Sequence, residues 1–210
     1  RSPLPEVPLT IPSMAEDAAD VLRALEIESV HVAGFSGGSV IAQELALGHP
    51  DLVRSLVLMS TWARPDSYWR AMVGSWRWMA ELAPDERSFL ESFFVWVYTH
   101  RAHEDGTVAQ IIDETLEFPY PASVEAIQRT IDALMVHETA DRLHRVTAPT
   151  VVLAGGEDLI APPQYGRQVA ELIPGATFEV MEGEAHQPFQ EVPETFNARV
   201  DAFWREVESR

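Results

Sequence analysis

Residues 30–47 read VHVAGFSGGSVIAQELAL. The first four, Val30-His31-Val32-Ala33, are short, rich in β-branched residues and bounded by glycine, as a buried strand of a parallel sheet would be. From Ser39 to Leu47 the stretch is rich in good helix formers. Gly34-Phe35-Ser36-Gly37-Gly38 lies between them, a G-x-S-x-G at a strand-to-helix junction. That context gives the pattern a chemical meaning, because a serine at the tip of so sharp a turn projects its hydroxyl from the sheet. Gly34 and Gly38 lack Cβ and are expected to let strand and helix cross closely. The N–H of Gly37, first in the helix, suits a developing oxyanion, and the helix dipole adds to it. Taken alone the motif also fits a glycine-rich turn with an idle serine, or a phosphate-binding turn.

The chain has 210 residues, 46% of them hydrophobic, enough for one sizeable core. It has no cysteine, which removes disulfides and thiolate metal sites and suits a reducing, cytoplasmic setting. All 15 basic residues are arginine, and the formal net charge of −18 argues against nucleic acid or an anionic membrane as partner. No apolar run reaches the length of a bilayer span, and no signal peptide is visible.

In chain order, prolines 3, 5, 8 and 12 mark residues 1–12 as an extended loop. Ser13-Met14-Ala15-Glu16 reads as a capping box, opening a helix with Ala18, Val21, Leu22 and Leu25 on its apolar face. After the stretch at 30–47, His49-Pro50 stops the helix and Arg54–Ser60 forms a second strand, closing one right-handed crossover. Between Thr61 and about Val146 the composition changes, with five of the six tryptophans falling here: Trp62, Trp69, Trp76, Trp78 and Trp96. The pattern is helical over 65–82, 85–100, 107–117, 122–137 and about 139–144, and suggests a lid with an apolar underside. Sheet character returns with strands at Pro149–Ala154 and Ala176–Met181. A helix opened by Pro162-Pro163 joins them, and an amphipathic helix from Pro193 to about Glu208 follows.

Asp158 and His186 each follow a strand, in the order Ser…Asp…His. Catalytic groups in open α/β sheets gather at the carboxyl ends of strands, and Ser36, Asp158 and His186 all lie there. His186 is placed to take the Ser36 proton and Asp158 to orient the imidazole. Asp66 is a weaker alternative acid, lying deeper into its segment than an end-of-strand acid should. His100, His103 and Glu104 lack a partner motif and read as a solvated helix end rather than a metal site. His31 falls in the strand, and His49, His137 and His144 read as helix-end or surface residues.

These stretches resemble the α/β-hydrolase superfamily, and within it the small cofactor-free group of 3-oxoadipate enol-lactonases, haloperoxidases or perhydrolases, and carboxylesterases. The likeness is carried by VAGFSGGSVIAQELALGHPDLVRSLVLMST, APTVVLAGGEDLIAPP and GEAHQPFQEVPETFN, and is generic across the lid. It implies an α/β fold with a parallel sheet flanked by helices, a core in two parts (1–61 and 147–210) and a helical cap over 62–146. It implies Ser36, Asp158 and His186 as triad, Gly37 as one oxyanion donor, and neither metal nor cofactor. Trp62, just past a strand end in the tryptophan-rich segment, and Phe35 are expected in the substrate pocket. Serine at 36 disfavours the relatives whose nucleophile is a carboxylate.

The expected activity is hydrolysis of a small apolar ester or lactone through an acyl-enzyme. A haloperoxidase-like activity and a ligand-binding protein on a hydrolase fold are the alternatives. The chain departs from the resemblance in lacking the family's first strands and the loop that supplies the second oxyanion N–H. The opening Arg1-Ser2 looks like the middle of a family loop. The strand at Val30 is therefore expected to be an edge, and an N-terminal fragment or segment of the same hydrolase to be a partner.

Overall fold

A computed structural model describes residues 4–210; the expectation attached to Arg1-Ser2 lies outside them. Helix α1 (Ile11–Ala24) precedes β1 (Val30–Phe35), α2 (Gly37–Gly48), a 3-10 turn at Pro50–Leu52 and β2 (Val53–Met59). Then come α3 (Ser67–Leu82), α4 (Glu86–Phe94), α5 (His100–Glu104), α6 (Thr107–Leu116), α7 (Val124–Val136) and a 3-10 turn at Leu143–Arg145. The chain ends with β3 (Thr150–Gly155), α8 (Pro163–Leu172), β4 (Thr177–Met181), α9 (Pro188–Glu191) and α10 (Pro193–Glu208). The four strands form one parallel sheet in the order β1-β2-β3-β4.

Strand alternation distributes the core. Leu56, Leu58 and Val152 face one way, onto Ala42, Leu45 and Ala46 of α2 and Val169 of α8. Val57, Met59, Val151 and Leu153 face the other way, onto Val200, Phe196, Phe203 and Trp204 of α10. A third cluster fills the space beneath α3–α7, around Trp62, Trp69, Trp76 and Phe94. Each large apolar side chain so buried contributes about 1.5–3 kcal/mol over its exposed form. Among the described residues no helix is long and apolar enough to cross a membrane.

Several sequence expectations are corrected. Helix α1 begins at Ile11, not after Pro12. Thr10 is its N-cap and shares a reciprocal capping box with Ser13, while Pro12 sits in the first turn, where its missing N–H costs nothing. Its buried face is Ile11, Ala15 and Ala19, whereas Val21 and Leu25 are exposed. Small residues face α2 because the helices pack closely there. The single helix expected over 85–100 is broken after Phe94 by a turn, and Thr99 caps a separate α5. Beyond the loop that holds His186, Pro188–Glu191 form the short α9. Among the described residues β1 pairs with β2 alone, so it lies at the edge of the sheet, as expected.

A buried polar group lies under α2. Glu44 accepts both ends of the Arg142 guanidinium, and His137 Nε2 approaches Glu44 Oε1 at 3.2 Å without hydrogen-bond geometry. Burial pushes the His137 pKa down; Glu44 pulls it back up and Arg142 lowers it further, leaving it below its usual 6.5. The unfolded chain thus takes up this proton at a higher pH than the folded one. Stability is complete above the unfolded value and is lost as pH falls from about 6.5 toward the folded value. His137→Gln should flatten that part of the curve, read by urea unfolding across the pH range.

The glycines at the β1–α2 junction are not equivalent. A Cβ on Gly34 would stand 2.6 Å from the Gly38 carbonyl oxygen and 2.7 Å from Ser39 Cα, both rigid backbone. A Cβ on Gly38 would meet nothing within 4 Å, so the expected need for glycine there is not met. Gly34→Ala should cost about 3 kcal/mol or prevent folding. Gly38→Ala, in the first turn of α2, should be neutral or stabilising by about 0.5–1 kcal/mol. Chemical denaturation of the two variants side by side checks both signs.

Candidate active site

Ser36 occupies the turn between β1 and α2 with φ 49° and ψ −121°, a conformation that L-residues rarely hold. Its backbone explains why it stays there. The Ser36 N–H donates to Met59 O at 3.0 Å, extending the sheet by one bond. Its carbonyl accepts from Ser39 N at 2.9 Å and from Ser39 Oγ at 2.6 Å. Ser39 Oγ and Gln43 Nε2 both also reach Thr61 Oγ1 at 2.8 Å, and Gln43 Oε1 accepts from Thr139 at 2.5 Å. This network lies in the interior with its members bonded to one another, as buried polar groups require.

Asp158 and His186 come from the loops after β3 and β4. The His186 Nδ1 lies 2.8 and 3.0 Å from the two Asp158 carboxylate oxygens, and Nε2 lies 2.9 Å from Ser36 Oγ. Asp158 and His186 are each 3% exposed, so this chain of hydrogen bonds runs through protein rather than water. Asp158 Oδ1 also accepts from the N–H groups of Ile160 and Ala161, both at 2.8 Å. Burial pushes the Asp158 carboxyl up, but His186, the Ala161 N–H and the Ser60 hydroxyl outweigh it and hold the pKa below its usual value. A carboxylate ionised at neutral pH fixes Nδ1 as the protonated nitrogen and leaves Nε2 free to accept from Ser36. The structure therefore brings together all three residues expected from the sequence. The N–H of Gly37 opens α2, where helix amides have no intrahelical acceptor.

A cavity of about 390 Å³ adjoins Ser36. Trp62, Trp69, Trp76, Phe93 and Ile127 are among its walls, so Trp62 is where the sequence places it. Phe35 is not. Alternation along β1 turns it to the α10 side, where its ring packs 4.8 Å from the ring of His186 and 4.8 Å from that of Phe189. It braces the imidazole and does not line the cavity. Asp66 is excluded as the acid by its own bonds: it caps α3 through the Trp69 N–H and accepts from the Tyr165 hydroxyl at 2.7 Å.

Other residues escaped the sequence. A Cβ on Gly155 would lie 2.0 Å from Ala185 O and 2.6 Å from Glu184 O, so glycine here lets the His186 loop cross the end of β3. Its place in a Gly-Gly pair at a strand end was the available signal. Ser60, at φ 52°, donates to the His186 carbonyl at 3.0 Å, and the His186 N–H donates to Val97 O at 3.0 Å. Around them the Tyr98 hydroxyl lies within hydrogen-bond reach of Gln187 and Gln190, Thr99 donates to Glu191, and Arg101 pairs with Glu184 at 2.8 Å. Burial raises the Glu191 pKa, opposed by its bonds from Thr99. Nothing in the local sequence marks these pairings, which span more than eighty positions.

Comparison with known proteins agrees with this architecture. Residues 2–191 match the family model described as alpha/beta hydrolase fold. A relative in Azorhizobium caulinodans, RutD, named for carbamate hydrolysis, is 29% identical over 202 residues, covering 96% of this chain and 76% of its own length. A pimeloyl-acyl-carrier-protein methyl ester esterase of Neisseria meningitidis serogroup C is 28% identical over 200 residues, 92% of this chain and 76% of that protein. The enol-lactonase of Burkholderia xenovorans superposes with a TM-score of 0.85 at 22% identity, over 95% or more of this chain (96%) and 75% of its own, which is a likeness of fold. With a family model matched over most of its length and a parallel sheet with a strained strand-to-helix turn at Ser36, this chain belongs to the alpha/beta hydrolase fold family and is a hydrolase.

Proposed function

We propose that the protein is a serine hydrolase that cleaves a carboxylic ester, or a lactone, through an acyl-enzyme. The observation that carries this is the Ser36–His186–Asp158 chain of hydrogen bonds opening onto an apolar cavity. Ser36 Oγ bonds to the substrate carbonyl carbon as its proton passes to His186 Nε2. The Gly37 N–H stabilises the oxyanion. Collapse breaks the ester C–O bond, and His186 returns the proton to the leaving oxygen. Water then repeats the sequence and releases the acid, so that Ser36 and His186 end as they began. The names of the relatives, an esterase and a carbamate hydrolase, favour acyl transfer to water at a carbonyl.

We also propose that the second oxyanion donor arrives with a further segment of such a hydrolase, added along the free edge of β1. Support comes from the unpaired edge itself and from the apolar cleft beside it, between Phe35, Met59, Phe189 and Phe196. Mass, melting temperature and esterase activity of residues 1–210, measured alone and within a longer chain, test it: equal activity in both would refute it.

A short p-nitrophenyl ester should be turned over, and Ser36→Ala should lower that turnover by about three orders of magnitude or more with the fold retained. A fluorophosphonate should label Ser36, and labelling at another serine would sink the assignment. Asp158→Asn should leave binding intact and lower kcat by about three to four orders of magnitude, because the amide lets the imidazole take the wrong tautomer. A loss below about tenfold would mean that another group orients His186.

A further inference from the structure

The cavity beside Ser36 has a second end. Its walls run from Ser36 under the helices of 62–136 to Phe89 on α4 and Ala122, just before α7. Ala122 is at the surface. Phe89 and Ala122 also line a neighbouring cleft together with Asp85, Glu86 and Val124. The space is thus a passage, with the nucleophile at one end and solvent at the other.

Its chemistry is as restricted as its shape. Of its polar lining side chains, Thr130 spends its hydroxyl on the Ala126 carbonyl at 2.8 Å. The indole N–H groups of Trp62, Trp69 and Trp76 are shielded inside the protein and bond to nothing. Ser36 is left as the available polar group. No side chain on the walls carries a charge. The walls are thus almost wholly apolar, and an apolar chain is the group they solvate at least cost. His186, which must reach the leaving oxygen, is not on the walls. What lies in the passage is then the part of the substrate that stays on Ser36. At the far end the cleft presents Asp85 and Glu86 and no base.

We infer that the passage binds the acyl chain of the substrate, a neutral aliphatic chain long enough to reach Phe89 and Ala122, and that these two residues set the chain-length preference. The inference rests on the acyl-enzyme reading of Ser36 and adds the substrate class to it. A chain ending in a carboxylate is disfavoured at the acidic exit, whereas a methyl end is not.

The experiment measures kcat/KM for p-nitrophenyl esters from acetyl to dodecanoyl. The value should rise by about two- to fourfold per added methylene until the chain reaches the exit. Ala122→Phe, an exposed position where folding is not at risk, should lower the dodecanoyl-to-acetyl ratio by about tenfold or more. An unchanged ratio would overturn the inference, as would a series in which alkoxy length rather than acyl length governs the rate. A half-ester ending in carboxylate should run about threefold or more below its methyl-ended counterpart at low salt, with the gap closing as salt is added. Equal rates would remove the acidic exit from the inference. Binding is read separately in Ser36→Ala. Methyl dodecanoate brominated at mid-chain should quench tryptophan emission, and the quenching should be lost when Ala122→Phe is added. Absence of quenching in Ser36→Ala would overturn the passage. Quenching without turnover of any ester by the native protein would instead overturn the hydrolase reading and leave the passage standing.

Discussion

The strained turn at Ser36 is the constraint from which the rest of the site follows. A non-glycine residue at positive φ costs about 1–3 kcal/mol and persists only where its surroundings over-determine it. Here β2 holds its N–H, Ser39 holds its carbonyl twice, and the contact of Gly34 with α2 closes the angle between strand and helix. Relaxing any of these would let Ser36 fall back toward an ordinary conformation and swing its hydroxyl away from His186. The polar network of Ser39, Gln43, Thr61 and Thr139 carries the same restraint outward to the connection that returns from the helices to β3.

The second half of the site is held with comparable redundancy by different means. Gly155 clears the path for the loop after β4, Ser60 fixes its carbonyl and Val97 fixes its N–H. Phe35 supports the imidazole from the sheet side. Three strand ends thus contribute one side chain each to the hydrogen-bonded chain Ser36–His186–Asp158, and the residues around them remove the freedom those side chains would otherwise have. Such preorganisation lets a hydroxyl act as a nucleophile without first paying to collect its partners.

What the sequence revealed and what it hid divide along physical lines. Strand–turn–helix punctuation is local, so the turn at Ser36, the four strands and the two strand-end residues Asp158 and His186 were legible from spacing and chain order. The break after Phe94 was not, because residues 95–98 are as apolar as the helices on either side and a turn among them has no marker. The face of α1 was misjudged because its packing uses alanines, which a search for large apolar residues passes over. Phe35 lies on the α10 side because the alternation of β1 turns it away from the cavity, which the motif around Ser36 does not reveal. The clamps on His186 join residues far apart in the chain, and only folding brings them together.

The ties from Tyr98, Thr99 and Arg101 to the His186 loop bear on how the molecule can breathe. Were the helices between β2 and β3 to lift as one rigid cover, the segment at 97–101 would carry the imidazole with it and dismantle the proton path. Helix α6 packs on α5 and α4, and α7 packs on α3, so these helices are joined to the segment that holds the imidazole. The segment at 97–101 is therefore both cover and anchor, so that whatever displaces it displaces His186 as well.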